Sequence, residues 1–116
     1  MQLTVLGCGD AFGNQGRNQT SFLLEHEDQC MLMDCGATTL IRLKQLGLCT
    51  DYIDTIIISH FHGDHYGGLP YFLLSCKIEA ERQNPLTIIG PKGIKDQVFR
   101  LQEALYPETS AHINAL

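Results

Sequence analysis

Thr55-Ile56-Ile57-Ile58 is a run of four β-branched residues that ends directly at Ser59-His60-Phe61-His62-Gly63-Asp64-His65-Tyr66-Gly67-Gly68. No other stretch constrains the chain as much. A strand apolar on both faces predicts a central place in a sheet covered on both sides. That strand must hand over to a loop carrying three imidazoles and one carboxylate within six residues. Gly63, Gly67 and Gly68 let the loop turn its side chains inward. Imidazole nitrogen and carboxylate oxygen suit Zn²⁺, and also Mn or Fe, so the residue types point to a transition metal without choosing one. A single histidine here would be better read as a surface or satisfied core residue. Four such donors on a strand-to-loop junction make His60, His62, Asp64 and His65 candidate metal ligands.

Around this junction, short apolar strands alternate with turn signals and helical patterns, which predicts an α/β layered fold. Gln2 to Leu6 reads as the first strand. Gly7 to Gly16, with four glycines and two Asn/Asp residues, reads as a loop that either borders the site or merely joins two strands. Ser21 to His26 and Cys30 to Asp34 predict a hairpin around Glu27-Asp28-Gln29. Leu40, Leu43 and Leu46 fall at helical spacing between Thr38 and Leu46, with Gly47 as the stop. A second helix is expected from Gly67-Gly68-Leu69-Pro70, with Pro70 in its first turn, to about Arg82, before Asn84-Pro85. Leu86 to Gly90 predicts another strand. Ile94, Val98, Leu101 and Leu105 share one face of a last helix that Pro107 ends.

Length and charge limit what such a site can serve. A chain of 116 residues has room for one domain and one core. Eight Lys and Arg against thirteen Asp and Glu give a net charge of -5, and the basic residues are scattered singly. Charge therefore gives no support to a nucleic-acid surface, although it does not exclude one. No apolar run approaches the roughly 20 residues needed to span a bilayer, so no membrane partner is expected. Five cysteines, odd in number and without C-x-x-C spacing, predict reduced and mostly buried thiols, as in a cytoplasmic protein.

The His60-x-His62-x-Asp64-His65 signature resembles that of the metallo-β-lactamase superfamily. Asp34-Cys35-Gly36 is similar to that family's Asp-x-Gly element. Gly67-Gly68-Leu69-Pro70 and Gly90-Pro91-Lys92-Gly93 resemble its phosphodiesterase and ribonuclease Z branch, and the likeness runs from Gln2 to about Leu105. The resemblance implies an α/β fold of the αββα sandwich type. Because a complete family domain is about twice as long, residues 1–116 are expected to form its first αβ half.

The resemblance further implies two divalent transition-metal ions, most simply zinc, with Mn or Fe as alternatives. His60 and His62 would hold the first ion, and Asp64 and His65 the second. His112, the one downstream histidine, is too close and isolated to complete the set and is left out. The expected activity is metal-dependent hydrolysis of phosphodiesters or related esters by a metal-activated hydroxide. Asp64 is the candidate catalytic residue, as a ligand that also orients the nucleophile or takes its proton. Asp34 is expected to support the ligands from behind, since metal-bound histidines give their second N–H to an oxygen acceptor; its structural alternative is a turn cap.

Two other functions stay open. A tRNA 3′-processing endonuclease is disfavoured by the charge and by Gly36-Ala37-Thr38-Thr39, where ribonuclease Z enzymes carry Gly-Glu-Gly-Thr. A non-catalytic metal-binding fragment is the third reading. The bare inner sheet face of a half-sandwich calls for a covering partner, either a second half or another copy of the chain.

Overall fold

The structure is a computed structural model and describes residues 1–111. Five strands form one sheet in the order β1-β2-β3-β4-β5: Gln2–Gly7, Ser21–His26, Gln29–Met33, Thr55–Ile57 and Thr87–Ile89. The first three pair antiparallel and the last three parallel. The β2–β3 turn is tighter than predicted: His26 pairs with Gln29, so only Glu27 and Asp28 lie outside the ladder. Glu27 takes the left-handed conformation, φ 54°, that so short a turn demands.

Helices α1 (Thr39–Gln45), α2 (Gly63–Tyr66), α3 (Leu69–Ile78) and α4 (Ile94–Leu105) lie between and after the later strands. Side-chain alternation splits the sheet into two unlike faces. On one face Leu23, Leu32 and Ile56 are in register and almost wholly buried, with Ile88 partly buried at the end of the row. Helices α1, α3 and α4 supply Leu43, Phe72, Leu73 and Val98 to the same core. Each aliphatic side chain buried there stabilises the fold by about 1.5–3 kcal/mol.

The opposite face carries the register row Val5, Phe22, Met33, Ile57 and Ile89. Val5 and Ile89 are half exposed. The expectation that β4 is covered on both sides therefore holds on the helix side only, among the described residues. Its apolar composition on the other face is the composition of a surface made to be covered.

Helix α1 ends at its predicted stop, with Gly47 at φ 72°. Helix α3 ends at Ile78, four residues short of the expected Arg82. The reason is Arg82 itself. Its guanidinium is buried and donates to the carbonyls of Thr50, Ile53, Asn84 and Pro85 at 2.7–3.2 Å. A helical Arg82 could not reach all four, and the chain unwinds through Glu81 at φ 48°. The short helix α2 leaves no trace in the periodicity, since four residues are too few to show any.

Three of the five thiols, Cys30, Cys35 and Cys76, are buried; Cys8 and Cys49 are exposed, and all five are free. Among the described residues, no helix is long and apolar enough to cross a membrane.

Candidate metal centre

Because β3 and β4 run parallel, their C-terminal ends lie side by side, and the loops leaving the two strands meet at that edge. Asp34 opens the loop after β3, and Ser59–His65 lie beyond the end of β4. The ladder runs on past both strands: Asp34 N–H donates to Ile57 O at 2.7 Å and Ile58 N–H to Ile89 O at 2.8 Å. Cys35 N–H then donates to His65 O at 2.7 Å, and Gly68 N–H to Cys35 O at 2.9 Å, which zips the two loops together. The approach is so close that a Cβ on Gly68 would stand 2.0 Å from Gly36 O, and one on Gly36 would stand 2.6 Å from Asp64 O. Only glycine fits at either position.

Asp34 is the hub of the site. It is 8% exposed and sits at φ 61°, a left-handed conformation that Asp tolerates better than most residues. Oδ1 accepts Ser59 N–H at 2.7 Å, while Oδ2 accepts Ser59 Oγ–H at 2.8 Å and His65 Nδ1–H at 2.7 Å. Asp34 thus touches the candidate ligand His65 and the residue that precedes His60. The bonds to Ser59 span 25 positions and join the ends of β3 and β4, so they are not the local bonds of a turn cap.

The three candidate imidazoles lie close together. The His60 ring lies 4.1 Å from that of His65 and 4.7 Å, edge-on, from that of His62. His62 is exposed, precedes α2 and accepts the N–H groups of His65 and Tyr66 through its carbonyl. Phe61 packs its ring on Tyr66 and both rest on the core, which anchors the loop between the histidines. Asp64 Oδ2 stands 3.4 Å from His65 Nε2.

This last contact tests whether a cation suits the site. In the neutral imidazole, with the proton on Nδ1 towards Asp34, Nε2 presents a lone pair to a carboxylate oxygen that also has only lone pairs. Two acceptors facing each other gain from a cation between them, and imidazole with carboxylate is a donor set for a zinc-type ion. The residues fit such a group in chemistry and tautomer. They do not close a cage around it: among the described residues, no three His, Cys, Asp or Glu side chains converge on one point. His112 lies outside the described residues.

The glycine-rich loop after β1 reaches the edge of this site through Gln19. The Gln19 side chain donates to Ala11 O and accepts Ala37 N–H, while its Cβ contacts the space over Gly36. Asp10 Oδ1 accepts the N–H groups of Phe12 and Asn14, which holds the loop in shape and leaves Phe12 exposed. Of the two readings of this loop, the bordering one matches its position.

Sequence reasoning missed Ser59, whose hydroxyl touches both Asp34 and His60 Nδ1, the latter at 2.9 Å. The signal was its position between strand and first histidine, which puts a hydroxyl where the two loops meet.

Comparison with known proteins agrees with this geometry. The profile of a family described as "Anti-Pycsar protein Apyc1" matches residues 1–112. The chain is 39% identical over 102 residues to ribonuclease Z of Clostridium kluyveri, covering 88% of this chain and 33% of that one. It is 34% identical over 115 residues to human zinc phosphodiesterase ELAC protein 1, covering 97% and 32%. The crystal structure of the human short-form tRNase Z, ELAC1, superimposes with a TM-score of 0.77 at 36% identity, covering 93% of this chain and 42% of that one. The metallo-β-lactamase fold protein YhfI of Bacillus subtilis superimposes with a TM-score of 0.68 at 25% identity, covering 76% and 37%. The chain spans about a third of the length of the curated relatives it matches. Matched in profile over nearly its whole length and in fold by these relatives, the chain belongs to the Anti-Pycsar protein Apyc1 family, in the ribonuclease Z-like branch of the metallo-β-lactamase superfamily.

Proposed function

We propose that this protein is a metal-dependent phosphodiester hydrolase with a zinc-type, two-ion site, of which residues 1–116 form the N-terminal αβ half. His60 and His62 hold the first ion, and Asp64 and His65 the second. The observation that carries the reading is the single carboxylate of Asp34, which accepts a hydrogen bond from His65 Nδ1–H and so turns Nε2 towards Asp64. The names of the relatives, ribonuclease Z and zinc phosphodiesterase, supply the reaction class and the metal type.

An ion held there supplies Lewis-acid stabilisation of developing charge and a lowered pKa for water. The chain's own residues supply the rest. Asp34 orients His65, the Gly36–Gly68 contact sets the distance between the loops, and Asp64 orients the nucleophile or accepts its proton. The unclosed donor set and the open face bearing Val5, Phe22, Met33, Ile57 and Ile89 both fit a half-domain completed by a second half. The short share of the relatives' length that this chain spans supports that division.

The test is elemental analysis of the intact protein beside its His60→Ala/His62→Ala variant, followed by assay on bis(p-nitrophenyl) phosphate. Metal present in the parent and absent in the variant, with metal-dependent cleavage, is the expected result. Metal-loaded protein that cleaves no phosphodiester, carboxylester or sulfate ester would leave a non-catalytic metal-binding module.

A second reading is tRNA 3′-processing. Charge and the Gly36-Ala37-Thr38-Thr39 run place it behind a general phosphodiesterase; the relatives named ribonuclease Z and tRNase Z bring it level. It requires cleavage of precursor tRNA with a steep loss of binding as salt rises. Absence of tRNA binding at low salt would remove it.

A further inference from the structure

The hydroxyl of Ser59 stands between two groups that leave it one arrangement. Asp34 Oδ2 can only accept, so the hydroxyl spends its single proton on that oxygen at 2.8 Å. Towards His60 Nδ1, 2.9 Å away, the Ser59 oxygen then has only lone pairs. A neutral His60 must therefore carry its proton on Nδ1, which leaves Nε2 a free lone pair. His65 reaches the same state by bonding Asp34 directly. One carboxylate thus sets two imidazoles, the nearer by contact and the farther through a hydroxyl.

We infer that Ser59 is a positioning residue of the metal site, relaying Asp34 to His60 and holding His60 in the Nδ1–H tautomer with Nε2 free for the ion. This rests on His60 being a ligand, the reading proposed for the site. Two features separate the role from simply joining the strand ends. The Ser59 backbone N–H already bonds Asp34 Oδ1 at 2.7 Å, so the two strand ends are held together without the hydroxyl. Ser59 is also exposed, so its side chain fills no core space. Removing the hydroxyl deletes the relay and little else, and a threonine, which keeps the hydroxyl and adds a methyl on the solvent side, restores it.

The experiment is ¹⁵N NMR of histidine side chains in the intact, metal-free protein at neutral pH, paired with zinc affinity by chelator competition. In the parent and in Ser59→Thr, His60 is expected in the Nδ1–H form. In Ser59→Ala, His60 becomes a mixture of tautomers while His65 stays unchanged, which also reports that the fold is intact. Zinc affinity falls about tenfold in Ser59→Ala and recovers in Ser59→Thr, the lower end of what lost outer contacts cost a metal site. A parent His60 protonated on Nε2 overturns the relay with no variant needed. So does a Ser59→Ala protein that keeps both the tautomer and the affinity. A parent that binds no zinc, yet shows the predicted tautomers, instead overturns the reading of His60 as a ligand.

Discussion

Asp34 Oδ2 and His65 Nδ1 stand 2.7 Å apart although 31 positions separate them in sequence. The contact exists because β3 and β4 are parallel neighbours, and it makes Asp34 the anchor of a candidate ligand. Asp34→Asn tests it without disturbing the backbone, since Asn also tolerates the left-handed conformation. The amide puts an N–H₂ donor where a carboxylate oxygen accepted, which strands Ser59 N–H if it replaces Oδ1 and both Ser59 Oγ–H and His65 Nδ1–H if it replaces Oδ2. Zinc affinity should fall about 10- to 100-fold by chelator competition. Unchanged affinity would reduce Asp34 to a link between the two strand ends.

The contact between the two loops should be intolerant of a single methyl group. Gly68→Ala would place Cβ 2.0 Å from Gly36 O, a backbone atom that cannot swing aside. The expected loss is about 1–3 kcal/mol in urea denaturation. Gly63→Ala, where a Cβ meets nothing within 4 Å, should stay within about 0.5 kcal/mol of the parent. Equal losses in the two variants would contradict the close approach.

Arg82 ties the loop at Thr50–Ile53 to the loop at Asn84–Pro85 through four carbonyls. A lysine keeps the charge but not the planar fork, and cannot serve four acceptors at once. Arg82→Lys should therefore destabilise nearly as much as Arg82→Ala, by about 3 kcal/mol, because buried carbonyls are left unpaired in both. Denaturation midpoints of the two variants decide it; full rescue by lysine would mean that charge alone matters.

Alkaline pH should unfold the protein through its buried thiols. Burial pushes the Cys35 thiol up from 9.0 to about 12, and burial with the nearby Glu25 and Asp54 carboxylates pushes Cys30 to about 11. The folded chain thus holds protons that the unfolded chain has released, and stability falls as pH rises from about 9 towards 12. Thermal midpoints measured from pH 8 to 11 should decline, less steeply in Cys35→Ala. A flat profile would mean that these thiols ionise freely in the fold. The same burial should leave Cys35 slow to react with thiol reagents at neutral pH, with exposed Cys8 and Cys49 fast.

The candidate metal-ligand loop is legible in the sequence because all four candidate donors lie within six residues, and because the Ile run before them reads as a buried strand. Most elements are legible from local signals as well: Gly47 and Pro107 mark helix ends, and the alternation in β2 and β3 marks a hairpin. Local signals overextend helix α3 for a physical reason. Glu79 to Arg82 have ordinary helix propensity, and what ends the helix is a guanidinium bonding carbonyls about 30 residues away in sequence.

By itself, the sequence determined the fold class, the candidate donors and the glycines that make room for them, since each rests on contacts or conformations local in the chain. Only the tertiary structure decided that Asp34 lies against His65, that Ser59 joins it to His60, and that the helices cover just one face of the sheet. Those are outcomes of parallel strand pairing, which brings distant residues to one edge by register, and register is set by the whole core rather than by any segment of it.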